Sequence, residues 1–303
     1  MHANPSALPG LPCYLNGQWL PLEQAQVPVL DRGFMFGDGV YEVVPVYGGR
    51  LFRFDEHMER LERSLHAVRI ANPCSREDWL ALMRQLVERV GAASGSTEQL
   101  LYLQITRGVA PRAHPMPAGL APTVLMMSQP HAAPSAELRH RGLACISHHD
   151  FRWERGDIKS ISLLGNVMAR QLAVDHDADE TILLRDTPHG PVVSEGSSSN
   201  VWIVLEGALI GVPPSAHTLA GVRIELLREL CEDEGIACHM RPIAEAELYA
   251  ADEILLSSAG REVLPVTRLD GESVGHGAGR GKPGPVYARL HEAYQRAKQE
   301  QSL

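Results

Sequence analysis

Residues 41–68, YEVVPVYGGRLFRFDEHMERLERSLHAV, decide the fold class. Tyr41–Val46 and Leu51–Phe54 are β-type runs on either side of Gly48-Gly49, a dipeptide typical of a hairpin turn. Asp55 is a residue type that caps helices, and apolar residues recur after it at spacings of three and four. These apolar positions are Met58, Leu61, Leu65 and Val68. A hairpin followed by an amphipathic helix predicts an α+β domain.

The rest of the chain divides at a segment rich in small residues and proline. Residues 129–142 contain Pro-His-Ala-Ala-Pro-Ser-Ala, a composition typical of a connection between domains. We therefore expect a smaller N-terminal α+β domain (residues 1–128), a linker (129–142) and a larger C-terminal α/β domain (143–303). Further helices are predicted at 75–90, 162–176, from 221 and at 283–298, and further strands at 100–106, 123–127, 143–147, 181–184, 192–194, 201–205 and 253–257.

Composition excludes several classes of protein. The net charge is −9, with 37 acidic residues against 28 lysines and arginines, and no basic cluster is dense enough to follow a nucleic-acid backbone. Apolar runs such as Val201–Leu205 are far shorter than a membrane span, so we expect a cytoplasmic protein. The five cysteines never have metal-binding spacing, and no metal site is predicted. A small-molecule substrate fits best.

Lysine is rare in this chain and is concentrated at one end. Two of the three lysines, Lys282 and Lys298, lie in the C-terminal stretch, and the third is Lys159 in RGDIKS (residues 155–160). Arginine supplies nearly all other positive charge. A guanidinium stays protonated, whereas an amine can lose its proton and attack a carbonyl. Lys159 is therefore a candidate for amine chemistry, although taken alone it is equally typical of a surface lysine.

Three further segments have the parts of a cofactor site. In EGSSSN (195–200) a carboxylate precedes a turn between two β-runs, and we expect the serines of this turn to orient groups around Glu195. In TLAGVR (218–223) a loop of small residues opens a helix, where free amides suit a phosphate. SSAGRE (257–262) ends a strand with small hydroxyl residues. Together with an amine, these are the parts that pyridoxal phosphate requires, whereas a dinucleotide fingerprint and a Walker loop are absent from the sequence.

Four segments, in order along the chain, resemble those of the D-amino acid transaminases within the class IV aminotransferases. They are DRGFMFGDGVYE (31–42), TRGVAPRAH (106–114), DIKS (157–160) and EGSSSN (195–200). The resemblance extends from about residue 13 to 298, and PRAH (111–114) favours the D-amino acid branch. It implies the two-domain α+β structure of fold type IV, with pyridoxal 5'-phosphate at the domain interface.

The resemblance also implies how the cofactor is held. Lys159 would form the Schiff base and act as the acid and base, while Glu195 would pair with the pyridine nitrogen. Leu219 would pack on the ring. The phosphate contacts implied are Arg60, the amides of Val222 and Arg223, and Ser258. Ala259 departs from the family pattern, which has a threonine there, so Ser257, Ser258 or Gly260 would have to replace that hydroxyl.

Tyr41, Arg112 and His114 match the residues that bind the substrate α-carboxylate in the family. There, the counterparts of Arg112 and His114 come from the partner subunit, which implies a homodimer. The implied reaction is amino transfer from D-alanine to 2-oxoglutarate, giving pyruvate and D-glutamate. The alternatives are a branched-chain L-amino acid transaminase or an aminodeoxychorismate lyase of the same fold, and a cofactor-binding protein without turnover.

Overall fold

A computed structural model describes residues 10–303, which form two compact units. Unit 1 contains the described residues up to Ala132 together with Ile158–Leu163 and Lys298–Leu303. Unit 2 contains Ala133–Asp157 and Leu164–Ala297. The predicted domain bounds stay a prediction, and the compact units differ from them in one important respect. Lys159, which the sequence places in the C-terminal domain, lies in unit 1.

Unit 1 is one antiparallel sheet with helices. Its elements are β1 (Pro12–Leu15), β2 (Gln18–Pro21), α1 (Arg32–Phe36), β3 (Gly39–Tyr47), β4 (Arg50–Leu51), α2 (Phe54–Ala67), α3 (Arg76–Ser94), β5 (Gln99–Thr106) and β6 (Thr123–Pro130). The strand order is β2-β1-β6-β5-β3-β4. The predicted hairpin is confirmed, because β3 and β4 pair through Val46↔Leu51 and Tyr47↔Arg50.

The core of unit 1 forms where β3 meets α2 and α3. Alternate residues of β3, Val40, Val44 and Val46, are buried, and they pack in one cluster with the apolar positions of the two helices. Helix α3 begins at the predicted place with a complete capping box, in which Ser75 accepts from the Asp78 amide and Asp78 accepts from the Ser75 amide. This packing fixes β3 and α2, which carry two of the candidate site residues, Tyr41 and Arg60.

The prediction that Asp55 caps α2 is wrong. The helix begins at Phe54, and its N-cap is Arg53, whose backbone is left-handed with φ 53°. The predicted strand Leu51–Phe54 is accordingly cut short. Main-chain bonds from Arg53 to Gln301 and between Leu51 and Leu303 hold this segment in place. Pairing with residues about 250 positions away along the chain overrides the local β pattern.

Unit 2 is built on a mixed sheet. Its elements are α4 (Ala136–Arg141), β7 (Leu143–His149), α5 (Leu164–Asp175), β8 (Glu180–Arg185), β9 (Val192–Gly196), β10 (Asn200–Leu205), β11 (Ala208–Gly211), α6 (Val222–Asp233), β12 (Cys238–Met240), α7 (Glu245–Tyr249), β13 (Glu253–Ser258), β14 (Glu262–Leu269), β15 (Glu272–Ser273) and α8 (Pro285–Glu300), of which residues to Ala297 belong to this unit. The order is β12-β11-β10-β13-β14-β7-β8-β9, with β15 paired to β14.

The sheet of unit 2 contains both parallel and antiparallel neighbours. Strands β14, β7 and β8 run parallel to one another, as do β11 and β12, and the other neighbours are antiparallel. Helix α4 lies inside the stretch that the sequence predicted as a linker. The candidate residues of this unit lie at the end of β9, in the loop before α6, at the start of α6 and at the end of β13. Within residues 10–303, no helix combines the length and the apolar character that crossing a bilayer requires.

Candidate active site

Lys159 is held by its main chain beside β3. Its carbonyl accepts from the Tyr41 amide at 3.0 Å, and its amide donates to the Ser64 hydroxyl at 3.3 Å. The next residues continue the pairing, since Ser160 bridges Val40. The half-buried side chain places Nζ 4.1 Å from the centre of the Tyr41 ring. The structure therefore brings two predicted site residues together, with the amine on an aromatic face.

Arg60 is buried and paired with an acid that the sequence analysis did not single out. Its Nε and Nη2 atoms donate to the two carboxylate oxygens of Glu42 at 2.8 and 2.7 Å. His57 Nδ1 lies 2.7 Å from the same carboxylate. Burial alone would raise the pKa of Glu42, but Arg60 and His57 hold this pKa well below its usual range. Arg60 is therefore a guanidinium of fixed orientation that is paired with a buried negative charge.

Arg112 and His114 surround an aromatic side chain of α1. The Arg112 guanidinium lies 5.6 Å from the centre of the Phe36 ring, and the His114 ring centre lies 5.7 Å from it. Both residues are exposed in the single chain. Their predicted role beside Tyr41 in binding a carboxylate stays a prediction.

Glu195 is 7% exposed and is held from two sides in unit 2. One carboxylate oxygen accepts from Arg152 Nη1 at 2.5 Å, and the other accepts from the Leu219 amide at 3.0 Å. Burial raises the pKa of Glu195, Arg152 and the Leu219 amide oppose that effect, and the net pKa is raised. The structure therefore brings Glu195 and Leu219, both predicted from the sequence, into direct contact.

Arg152 is itself fixed by a second acid. Asp150 accepts from Arg152 Nε at 3.0 Å and from Arg152 Nη2 at 2.9 Å, and also from the Ser194 hydroxyl at 2.7 Å. Burial acts against ionisation of Asp150, but these bonds bring its pKa down to about 2. Asp150 therefore stays charged and aims Arg152 at Glu195.

The loop before α6 approaches the Asn200 side chain closely. A Cβ atom at Gly221, the N-cap, would lie 1.9 Å from Asn200 Oδ1, so only glycine fits without displacing that side chain. No side chain caps the helix, and the first amides of any α-helix have no partner within the helix. Val222 and Arg223 are the first two helical residues. The Arg223 side chain is used elsewhere, because its Nε donates to Tyr294 at 2.9 Å.

The strand end at β13 offers one accessible hydroxyl. Ser257 is 1% exposed and accepts from Trp202 Nε1 at 3.0 Å, which assigns it to the core. Ser258 is half-buried, and its oxygen accepts from the Arg261 amide at 3.2 Å. That bond leaves the Ser258 hydroxyl hydrogen available to donate. Of the two serines proposed to replace the threonine hydroxyl missing at Ala259, Ser258 is the better placed.

The sequence suggested that the serines after Glu195 orient that residue. In the structure they bind a different acid instead. The amide and hydroxyl of Ser197 both donate to Glu180, and the Ser198 hydroxyl lies 3.3 Å from the other Glu180 oxygen. Glu180 is fully buried on β8. Its carboxylate anchors the β9–β10 turn, and so fixes the backbone from which Glu195 projects.

Four residues of the site escaped the sequence analysis: Glu42, Asp150, Arg152 and Glu180. Glu42 had a detectable signal, because it occupies a core-facing position in the Val40, Val44 and Val46 alternation, where an acid must be paired. The other three had none, since Arg152 lies 43 residues from Glu195, Glu180 lies 17 residues from Ser197, and Asp150 acts through Arg152. In the described part of the chain, no three His, Cys, Asp or Glu side chains are grouped so that they could hold a metal ion.

Comparison with known proteins identifies relatives of this chain. Residues 39–269 match the family model described as amino-transferase class IV. A D-alanine aminotransferase of Bacillus licheniformis is 38% identical over 280 residues, 92% of this chain and 94% of that protein. A D-alanine aminotransferase of Staphylococcus haemolyticus is 36% identical over 282 residues, covering 93% and 95%.

Among solved structures, a branched-chain amino acid aminotransferase of Escherichia coli is similar with a TM-score of 0.83. The two share 25% identity, and the match covers 94% of this chain and 93% of that one. The predicted α+β structure of fold type IV is confirmed. The chain belongs to the class IV aminotransferases.

Proposed function

We propose that this chain is a D-amino acid transaminase that uses pyridoxal 5'-phosphate. It would transfer the amino group between D-alanine, or other D-amino acids, and 2-oxoglutarate, giving pyruvate and D-glutamate. The observation that carries this proposal is the 36–38% identity to two D-alanine aminotransferases over more than 90% of both chains. The contacts of the candidate residues support it independently.

Two parts of unit 2 suit the two ends of the cofactor, the ring nitrogen and the phosphate. Glu195 is a buried carboxylate whose two oxygens accept from Arg152 and from the Leu219 amide. A carboxylate has about four acceptor positions, so Glu195 can also pair with a ring nitrogen. The Gly221 backbone and the uncapped start of α6 suit a phosphate, because helix-start amides bind anions. The residues present therefore fit pyridoxal phosphate.

Each candidate residue then has a definite task. Lys159 Nζ would attach the cofactor and move the proton at the substrate α-carbon, and the Tyr41 ring against which it lies limits its orientation. Glu195 would keep the ring nitrogen protonated, with Arg152 holding it in place. When bound, the cofactor supplies an electron-withdrawing ring that stabilises negative charge at the α-carbon.

The remaining residues would bind and orient. Arg60 would contact the phosphate with its guanidinium orientation fixed by Glu42. The other proposed contacts are the Val222 and Arg223 amides and the Ser258 hydroxyl with the phosphate, the Leu219 side chain with the ring, and Tyr41, Arg112 and His114 with the substrate carboxylate.

We propose a homodimer in which Arg112 and His114 serve the partner's site. Both residues are exposed in the single chain, and large apolar side chains of the same unit are exposed as well. Phe34 is 74% exposed and Val29 72%, and Val109 and Met116 are also exposed. Apolar surface of this kind is typical of a face that a partner covers.

A half-reaction screen tests the proposed function. We expect D-alanine, but not L-alanine, to change the visible absorbance of the bound cofactor and to release pyruvate. The Lys159→Ala variant should give no such response. Reaction with L-amino acids alone would contradict the D-specific part and favour a branched-chain transaminase, the activity of the Escherichia coli structure with the same fold.

Two other outcomes separate the remaining alternatives. Steady turnover that needs no 2-oxo acid would indicate a lyase. Bound cofactor that responds to no amino acid would indicate a binding protein without turnover.

A further inference from the structure

Arg32 is a buried arginine whose side chain contacts the PRAH segment (residues 111–114). It is the first residue of α1 and is 3% exposed. Its Nη1 atom donates to the Ala113 carbonyl at 2.6 Å, and its Nη2 atom donates to the His114 carbonyl at 3.4 Å. One guanidinium thus contacts two successive carbonyls of the segment that carries Arg112 and His114.

Asp38 fixes the direction of this guanidinium. It accepts from Arg32 Nε at 2.7 Å, and its two oxygens accept from Arg107 at 2.8 and 2.9 Å. Burial alone would raise the pKa of Asp38, but the two arginines hold this pKa below its usual value, so the carboxylate is charged. Arg107 extends in another direction, to the carbonyls of Val68 and Arg69 at the end of α2.

Phe36 links Arg32 to the side chains of the same segment. The Arg32 guanidinium lies 4.8 Å from the centre of the Phe36 ring. Arg112 and His114 also contact this ring, at 5.6 and 5.7 Å. Arg32 therefore contacts both the backbone of the segment and the aromatic ring on which its two functional side chains rest.

The residues just before the PRAH segment are also held through the main chain, by the first residue of α1 and by a residue that precedes this helix. The Arg32 amide donates to the Gly108 carbonyl at 2.9 Å, and the Ala110 amide donates to the Leu30 carbonyl at 3.3 Å. Beyond Ala110 the chain is exposed, and Arg32 provides the side-chain anchor described above. Loss of that anchor would free residues 111–114 while leaving residues up to 110 attached.

We propose that Arg32 is a positioning residue for the substrate carboxylate. It holds the main chain of Ala113 and His114, so that Arg112 and His114 keep the spacing that a carboxylate needs. This inference rests on the proposed function, in which those two residues bind the substrate. Small displacements of a binding group cost large factors in rate or affinity, so a fixed backbone matters here.

The test compares Arg32→Met with Arg107→Met. Both variants remove one arginine from Asp38, so both lose a buried ion pair, but only the first removes the contacts to Ala113 and His114. We expect Arg32→Met to raise the KM for the amino acid by about tenfold or more with little change in kcat, because carboxylate binding acts on ground and transition states alike. Arg107→Met should lower thermal stability similarly while leaving KM within about threefold.

Limited proteolysis supplies a readout that needs neither cofactor nor substrate. In Arg32→Met, trypsin should cleave after Arg112 at least about tenfold faster than in the wild type, because residues 111–114 lose their side-chain anchor. In Arg107→Met the rate of this cleavage should stay unchanged. Arg32→Lys keeps the charge beside Asp38 but lacks the planar fork, so it should give an intermediate KM, and it replaces Arg32→Met if that variant does not fold.

Three results would overturn the inference. Equal rises in KM for Arg32→Met and Arg107→Met would indicate general destabilisation. Faster cleavage after Arg112 without a change in KM would remove the link to the substrate, and an unchanged cleavage rate would remove the anchor. If the wild type accepts only L-amino acids, the proposed function fails by itself, and the same KM comparison is made with the accepted substrate. A wild type that reacts with no amino acid would overturn both.

Discussion

The buried pair of Glu42 and Arg60 gives a sharp prediction about stability. We expect Glu42→Gln to destabilise unit 1 strongly, because the substitution keeps the shape of the side chain but removes the negative charge that is paired with the buried guanidinium. The Arg60 side chain is 6% exposed and the Glu42 side chain is fully buried. The Glu42 carboxylate accepts two short hydrogen bonds from Arg60 and is also in contact with His57.

The magnitude follows from that burial. Removing one partner of a buried ion pair costs roughly 3–5 kcal/mol, because the remaining charge is left in a medium that solvates it poorly. For a protein of this size, 1 kcal/mol corresponds to roughly 2–4 °C in Tm. The expected fall in Tm is therefore roughly 6–20 °C.

Scanning calorimetry measures this change, and Glu59→Gln on the same helix is the matched control. The Glu59 side chain is 58% exposed and lies 4.0 Å from Arg76, so its loss should cost no more than about 0.5 kcal/mol. Equal Tm values for the two variants would refute the importance of the buried pair. Under the proposed function, the cofactor phosphate gives Arg60 a new counter-charge, so saturating pyridoxal phosphate should narrow the gap between Glu42→Gln and the wild type.

Three further predictions follow from unit 2. Gly221→Ala places a methyl group 1.9 Å from Asn200 Oδ1, and we expect about tenfold or greater loss of affinity for pyridoxal phosphate in a fluorescence titration; unchanged affinity would refute the close approach. Under the proposed function, Glu195→Gln removes the charge that would face the ring nitrogen, and the half-reaction should slow by roughly 100-fold or more with the cofactor still bound. Asp150 has a folded pKa of about 2 against an unfolded value of about 4, so its contribution to stability is complete above pH 4 and is lost toward pH 2. Asp150→Asn should therefore weaken the pH dependence of urea unfolding between these two values, and an unaltered slope would contradict this assignment.

The elements that the sequence predicted well are those with strong local signals. The hairpin at Gly48-Gly49 formed as expected because both glycines adopt positive φ, at 56° and 76°. Helix α3 began at Ser75 because the capping box is complete within four residues. Helix α6 begins directly after Gly221, as the loop of small residues predicted.

The elements that the sequence missed depend on distant partners. The start of α2 moved to Phe54 because residues 51–53 pair with the C-terminal residues 301–303. Helix α4 was predicted as a linker because its flanking prolines and small residues hide a six-residue helix capped by Ser135. Neither pairing over such a separation nor so short a helix leaves a clear periodic pattern.

The candidate site shows the same division. Lys159 and Glu195 were predicted as candidates from the rarity of lysine and from the motifs around them, and their roles stay predictions. Arg152 escaped notice because it lies 43 residues before Glu195 and has no motif of its own. The role of the serines was misread because their acceptor, Glu180, lies on a neighbouring strand rather than in the turn. A sequence shows which side chains can take part in a reaction, whereas the fold determines which acid each hydrogen-bond donor contacts.

The most direct measurement of the central claim is to locate the covalently attached cofactor. Freshly purified holoprotein would be reduced with borohydride, digested and analysed by mass spectrometry. We expect the phosphopyridoxyl adduct on the peptide that contains Lys159, and we expect Lys159→Ala to yield no adduct at any residue. An adduct on Lys282 or Lys298, or its absence from wild-type protein that still transaminates, would contradict the assignment.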